Sequence, residues 1–164
     1  MYTKQSDLLK GLSKDFVGKV MEIAEKETHK GGCLLFKEGD QAKQLYILLK
    51  GRVSITIGEI GHTVYTVNYP GEVFGWSSLV GRKVYSGSAE CKEPTKLLRI
   101  SVEKLEKLFE KDRANEITFF RQLAAGLGSR LIQSYKMISE NAQADISSLS
   151  CGTGQVQESS KTVS

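Results

Sequence analysis

Residues Pro70 to Ala89, PGEVFGWSSLVGRKVYSGSA, decide how the chain is read. A glycine turn, a short polar segment and an extended Ser/Gly run follow one another there. Gly71 and Gly75 mark places where the backbone turns or comes close to something, since only glycine enters the positive-φ region without steric cost. Between Gly75 and Gly81 lie Trp76, Ser77, Ser78, Leu79 and Val80, enough for one helical turn. The first N–H groups of such a turn have no intrahelical partner, which makes it an anion-binding element. Beyond it, Tyr85, Ser86 and Ser88 alternate with smaller residues as a strand does, setting hydroxyls beside the turn. The stretch is expected to be the wall of a ligand pocket.

Upstream, Glu25 to Lys30, Cys33 to Lys37, Leu45 to Leu49, Val53 to Ile57 and Thr63 to Val67 are short and rich in β-branched and aromatic residues. Gly31-Gly32, Glu38-Gly39-Asp40, Lys50-Gly51, Gly58 to Gly61 and Asn68 to Gly71 punctuate them. Strands at about ten-residue spacing with no helix between them predict a compact antiparallel roll or sandwich. Helices flank it. Ser6 to Lys10 and Ser13 to Ala24 read as helical, with Ser13 as N-cap and Phe16, Val20, Ile23 and Ala24 on one face. After the strand Lys96 to Ile100, Ser101 caps a helix carrying Leu105, Leu108 and Phe109. In its second half, Ile117, Phe120, Ala124, Leu127, Leu131 and Ile138 follow the steps of a coiled-coil seam, with Ser134 where the seam would next be apolar. A helix this long outreaches a small roll, so the seam is expected to pair with a second copy. Gly126 and Gly128 weaken it by about 1 kcal/mol each relative to alanine, but they also let two backbones approach closely. The Ser/Gln/Thr/Gly-rich run from Asn141 to Ser164 is expected to be a disordered tail.

The central stretch resembles the phosphate-binding cassette of cyclic nucleotide-binding domains, the β-roll shared by catabolite activator protein, its relatives and the regulatory subunits of cyclic-AMP-dependent kinase. The family pattern is Phe-Gly-Glu-aliphatic-small-Leu, a variable loop, then Arg-Ser/Thr-Ala-Ser/Thr. The chain has Phe74-Gly75-Trp76-Ser77-Ser78-Leu79, a loop, then Tyr85-Ser86-Gly87-Ser88. Phe36 to Asp40 is similar to the family's Glu-Gly-Asp turn. Leu45 to Val53 is similar to its hairpin, and Pro70 to Gly75 to its approach to the cassette. In the family the glutamate holds the ribose hydroxyl and the arginine pairs with the cyclic phosphate; Trp76 and Tyr85 stand in those positions, and neither is charged at neutral pH. The resemblance implies the fold more strongly than it implies cyclic AMP. In the family's transcription factors a helix-turn-helix domain follows the long helix, and residues 141–164 are not expected to form one.

Composition narrows the function further. A net charge of +4 is mild, and acids alternate with bases from Val102 to Arg113, so no nucleic-acid face is expected. No apolar run reaches the roughly 18 residues of a membrane span and the N-terminus has no signal-peptide core, so the chain is expected to be cytoplasmic. Cys33, Cys91 and Cys151 are odd in number and widely spaced, which argues against a disulfide framework or a Cys-x-x-Cys site. The histidines, His29 and His62, are too far apart for a cupin-type metal centre, and no nucleophile elbow, P-loop or acid/base pair appears.

The fold expected is therefore mainly β with flanking helices: N-terminal helices over 1–24, a double-stranded β-helix roll (jelly-roll or cupin-like) over 25–100, and C-terminal dimerisation helices over 101–140, followed by the tail. Its function is expected to be that of a non-enzymatic sensor, with no metal and no cofactor beyond a nucleotide-like ligand of unknown identity. Gly75, Trp76, Ser77, Ser78, Leu79, Tyr85, Ser86 and Ser88 are the expected ligand-binding residues, with Arg82 and Lys83 as anion partners. Trp76 is assigned a stacking role and Tyr85 a phenol donated to a ligand oxygen. The sensor signals as a homodimer to an unidentified protein. The competing reading is a ligand-free interaction module whose pocket is plugged by Trp76.

Overall fold

The computed structural model describes residues 6–59 and 61–150. Cys151 and the tail expected over 151–164 lie outside the described residues. The chain divides into two units, Met1–Gly126 and Leu127–Ser164.

The first unit is built on two four-stranded antiparallel sheets. One orders β1 (Ala24–His29), β8 (Thr95–Ser101), β3 (Gln44–Lys50) and β6 (Val73–Phe74) side by side; the other orders β2 (Leu34–Phe36), β7 (Ser88–Cys91), β4 (Val53–Ile57) and β5 (His62–Val67). Successive side chains on a strand point to opposite faces. In β3, Tyr46 and Leu48 accordingly enter the core between the sheets with Phe36, Val53, Val67, Phe74, Tyr85 and Leu97. Leu45 and Ile47 are buried as well, so β3 is covered on both sides. The expected β-roll is present.

The helices follow the roll's sequence signals. Ser6 to Lys10 forms only a 3-10 turn, Asp7–Leu9, because so short a segment closes two bonds at most. α1 (Lys14–Ile23) starts at Ser13, whose Oγ accepts from the Phe16 N–H at 3.2 Å. α2 (Val102–Lys111) starts at Ser101, as its sequence predicts. Phe16 of α1 stacks on Phe109 of α2, with ring centroids 5.9 Å apart. At Asp112 the chain breaks step and α3 (Arg113–Ser150) begins.

In one respect the expectation needs correcting. Residues 141–150 continue α3 instead of opening the tail. Their serines and glutamine suggest a loop, but Ala142, Ala144, Ile146 and Leu149 tolerate a helix and no glycine or proline occurs before Gly152. Within the second unit, Leu131, Ile132, Tyr135, Met137, Ile138 and Ile146 are exposed.

Candidate functional site

The approach to the site is set by Glu72. Its carboxylate accepts from the backbone N–H groups of Asn68 and Tyr69, each at 2.8 Å, and from the Tyr65 hydroxyl. That fixes the turn before β6, which pairs Phe74 with Tyr46 and Val73 with Ile47. Gly75 then takes φ +74° directly over Tyr46. A β-carbon there would sit 2.9 Å from the Tyr46 ring and 3.1 Å from the Gln44 carbonyl oxygen, so the position demands glycine twice over.

The helical turn expected next is present as a 3-10 turn, Ser77–Val80, with Trp76 at its N-cap and Gly81 closing it in the left-handed region. The Leu79 N–H donates to the Trp76 carbonyl at 3.0 Å and the Arg82 N–H to the Ser77 carbonyl at 3.1 Å. Ser77 is buried, while Trp76, Ser78 and Leu79 are half-buried. Trp76 is not among the residues of the core cluster between the sheets. The Ser78 hydroxyl oxygen is itself shielded and has no partner among the described residues.

Residues 82–87 run against residues 39–44. Ala42 N–H donates to the Lys83 carbonyl, Tyr85 N–H to the Asp40 carbonyl and Gly39 N–H to the Tyr85 carbonyl, all at 2.9–3.0 Å. This zipper turns Tyr85 inward. Its ring stacks on Phe36 with centroids 3.8 Å apart, and Tyr46 and Phe74 extend the aromatic layer. The Tyr85 hydroxyl donates to the Gln44 carbonyl at 2.9 Å and accepts from the Gln44 N–H at 3.1 Å. Burial pushes the Tyr85 phenol pKa up, and that of Tyr46 further, so both stay protonated. The expected donation from Tyr85 to a ligand oxygen is therefore corrected: its hydroxyl is committed to Gln44, on the segment that residues 82–87 run against.

Ser86, by contrast, is exposed, and Arg82 Nη1 donates to its Oγ at 3.3 Å. Lys83 is exposed. Gly87 is buried; a β-carbon there would lie 2.7 Å from the Thr56 carbonyl oxygen. Ser88 opens β7, and its Oγ accepts from the Glu38 N–H at 2.9 Å. The structure thus gathers the turn Ser77–Val80, Arg82, Ser86 and Ser88 along one segment, and withdraws Tyr85 from it. Gln44 and Phe36 were missed by sequence reasoning. The only signal for them was the Glu38-Gly39-Asp40 turn, which carries the zipper strand. Among the described residues, no group of three or more His, Cys, Asp or Glu side chains is placed to hold a metal ion, and no helix is long and apolar enough to cross a membrane.

Comparison with known proteins agrees with the fold. The family described as cyclic nucleotide-binding domain matches residues 26–112. Human cGMP-dependent protein kinase 2 is 28% identical over 95 residues, covering 56% of this chain and 12% of the kinase. The cyclic AMP receptor protein of Thermus thermophilus is 30% identical over 99 residues, covering 59% of this chain and 46% of that protein. The chain therefore spans under half the length of either relative. The crystal structure of a cyclic nucleotide-binding domain from Methylobacillus flagellatus superposes with a TM-score of 0.73 at 22% identity, covering 85% of this chain and 80% of that one, a likeness of fold.

Proposed function

The chain belongs to the cyclic nucleotide-binding domain family, whose fold is that of a ligand-binding regulatory domain, and from that membership we propose that it takes a small anionic, nucleotide-like ligand along Gly75 to Ser88. The observation that carries the reading is the contact between Arg82 and Ser86. In the family pattern the arginine precedes the Ser/Thr that corresponds to Ser86; here that position is Tyr85, turned into the core. Arg82 returns a guanidinium to the same serine from the loop. A guanidinium beside an exposed hydroxyl makes a polar contact point for an anion. Trp76, at the head of the turn, offers an indole face to a planar group.

Ligand binding works as a signal only if the ligand prefers one of two arrangements of the helices that follow the roll. α2 and α3 carry that response, and a homodimer formed through the α3 seam delivers it to a partner protein. No catalytic role is proposed.

Calorimetric titration with cyclic AMP, cyclic GMP, cyclic dinucleotides and inorganic phosphate tests the reading. At least one nucleotide should bind, and Arg82→Ala should weaken it by about tenfold or more, the worth of one charge-assisted hydrogen bond. A flat response to every nucleotide would support the second reading, a ligand-free interaction module. In that module the half-buried Trp76 at the head of the turn fills the pocket itself.

A further inference from the structure

β1 ends at His29 and β2 begins at Leu34, and between them the chain folds back on itself. The Cys33 N–H donates to the Lys30 carbonyl at 3.2 Å, and Gly32 takes φ +83° to close the turn. This brings Cys33 Sγ to 3.3 Å from His29 Nδ1. The other ring nitrogen, Nε2, lies 2.8 Å from Glu27 Oε2, on the same strand. Arg99 of the neighbouring β8 sits 2.7 Å from the second Glu27 oxygen and also pairs with Glu25, holding the carboxylate in place.

Thiol, imidazole and carboxylate therefore stand in a row, in the order of nucleophile, base and orienting group. With Nε2–H donating to Glu27, Nδ1 is left as an acceptor for the thiol proton. The carboxylate then stabilises the imidazolium formed when that proton crosses. Sulfur and carboxylate bind opposite ring nitrogens and do not converge on one point, in keeping with the absence of a metal cradle among the described residues. The side chains of His29 and Glu27 are each 25% exposed and Cys33 is half-buried, so a small molecule can reach the sulfur. Cys91 is different. It is fully buried, and burial pushes its thiol pKa up.

We propose that Cys33 is a modification site for peroxides, with His29 as its base and Glu27 as the group that orients the imidazole. The thiolate sulfur attacks one peroxide oxygen; an S–O bond forms as the O–O bond breaks. The departing oxygen takes back the proton held by His29 and leaves as an alcohol, or as water from hydrogen peroxide. Sulfur is oxidised by two electrons to the sulfenic acid and the peroxide is reduced by two. His29 ends neutral, as it began.

The full-length protein is exposed to hydrogen peroxide, the sulfenic acid is trapped with dimedone, and each cysteine is followed by peptide mass spectrometry. Cys33 should label about tenfold or more faster than both Cys91 and free glutathione, and His29→Gln should remove that advantage. Alkylation by iodoacetamide, which needs the thiolate but no oxidant, should fall in parallel. Glu27→Gln keeps the shape of the pair while removing its charge, and should give an intermediate rate at unchanged melting temperature. A Cys33 rate equal to that of glutathione, or one that neither substitution alters, overturns the proposal and leaves the contacts as structural hydrogen bonds.

Discussion

Tyr85 shows how one side chain redirects a site. Its hydroxyl satisfies both the N–H and the carbonyl of Gln44, and its ring completes a layer with Phe36. Tyr85→Phe keeps the ring and takes a partner from the N–H and the carbonyl of half-buried Gln44, so we expect a loss of about 1–2 kcal/mol in denaturant unfolding with little change in shape. Gly87 tests the opposite error. Gly87→Ala forces a methyl to 2.7 Å from the Thr56 carbonyl and should cost roughly 1–3 kcal/mol, read in the same experiment, because backbone on the far side cannot yield. The sequence made Gly75 and the turn after it legible, since glycine, short spacing and polar residues leave few local conformations. It left Tyr85 ambiguous, because a phenol is apolar along its body and polar at its tip and fits either face of an extended segment. Which face it takes is decided by the pairing of residues 82–87 with 39–44, a contact made across half the domain.

At the scale of elements, the junction of α2 and α3 is the least anticipated feature. Asp112 caps α3 by accepting from the Asn115 N–H at 3.1 Å and from its side-chain amide at 2.7 Å. Asn115 in turn meets the head of α1: Ser13 N–H donates to Asn115 Oδ1 at 2.9 Å, and Asn115 Nδ2 to Ser13 Oγ at 3.0 Å. One buried amide thus ties together three helix ends. The sequence showed Ser13 as a cap but gave no sign that its partner lay 102 residues away. Asn115→Ala should cost about 2–3 kcal/mol, since it leaves several polar groups unpaired at once. The junction also has a defined acid response. The hydrogen bond from the Asn115 side chain, more than any other cause, lowers the Asp112 pKa below the ordinary aspartate value. A carboxylate depressed in the folded state contributes stability above its unfolded pKa of about 3.9 and loses that contribution as pH falls through the lower folded value. Thermal unfolding followed by circular dichroism should therefore show no contribution from this group to pH dependence above about pH 5, and a drop below about pH 4 that Asp112→Asn diminishes.

Across the whole molecule, the roll was legible because five β-rich runs and their glycine turns recur at short, regular intervals, whereas the end of the helical region was misjudged on composition alone. The seam on α3 is the remaining question. Among its six positions Ile117 is 54% exposed, Leu131 51% and Ile138 65%, while Asn115, Phe119 and Leu123, which lie off the seam, are the α3 residues buried within the first unit. A helix that needed its seam to hold the fold would bury those positions; here Ile117, Ala124, Leu131 and Ile138 are exposed, and Phe120 and Leu127 are half-buried. Each Leu or Ile covered by a second copy contributes about 1.5–3 kcal/mol, enough in total to hold a dimer at micromolar concentration once the cost of association is met. Light scattering on the full chain should therefore give twice its 18.1 kDa mass, and Leu131→Glu with Ile138→Glu should return it to one. If the unaltered protein is a monomer across the micromolar range, the seam does not pair and a signal cannot travel through it. If it is a dimer and a nucleotide binds along Gly75 to Ser88, the two equilibria must be linked: a ligand that prefers the dimeric arrangement must tighten the dimer by the same factor by which the dimer tightens the ligand, and measuring both factors decides whether the cassette and the helix act as one device.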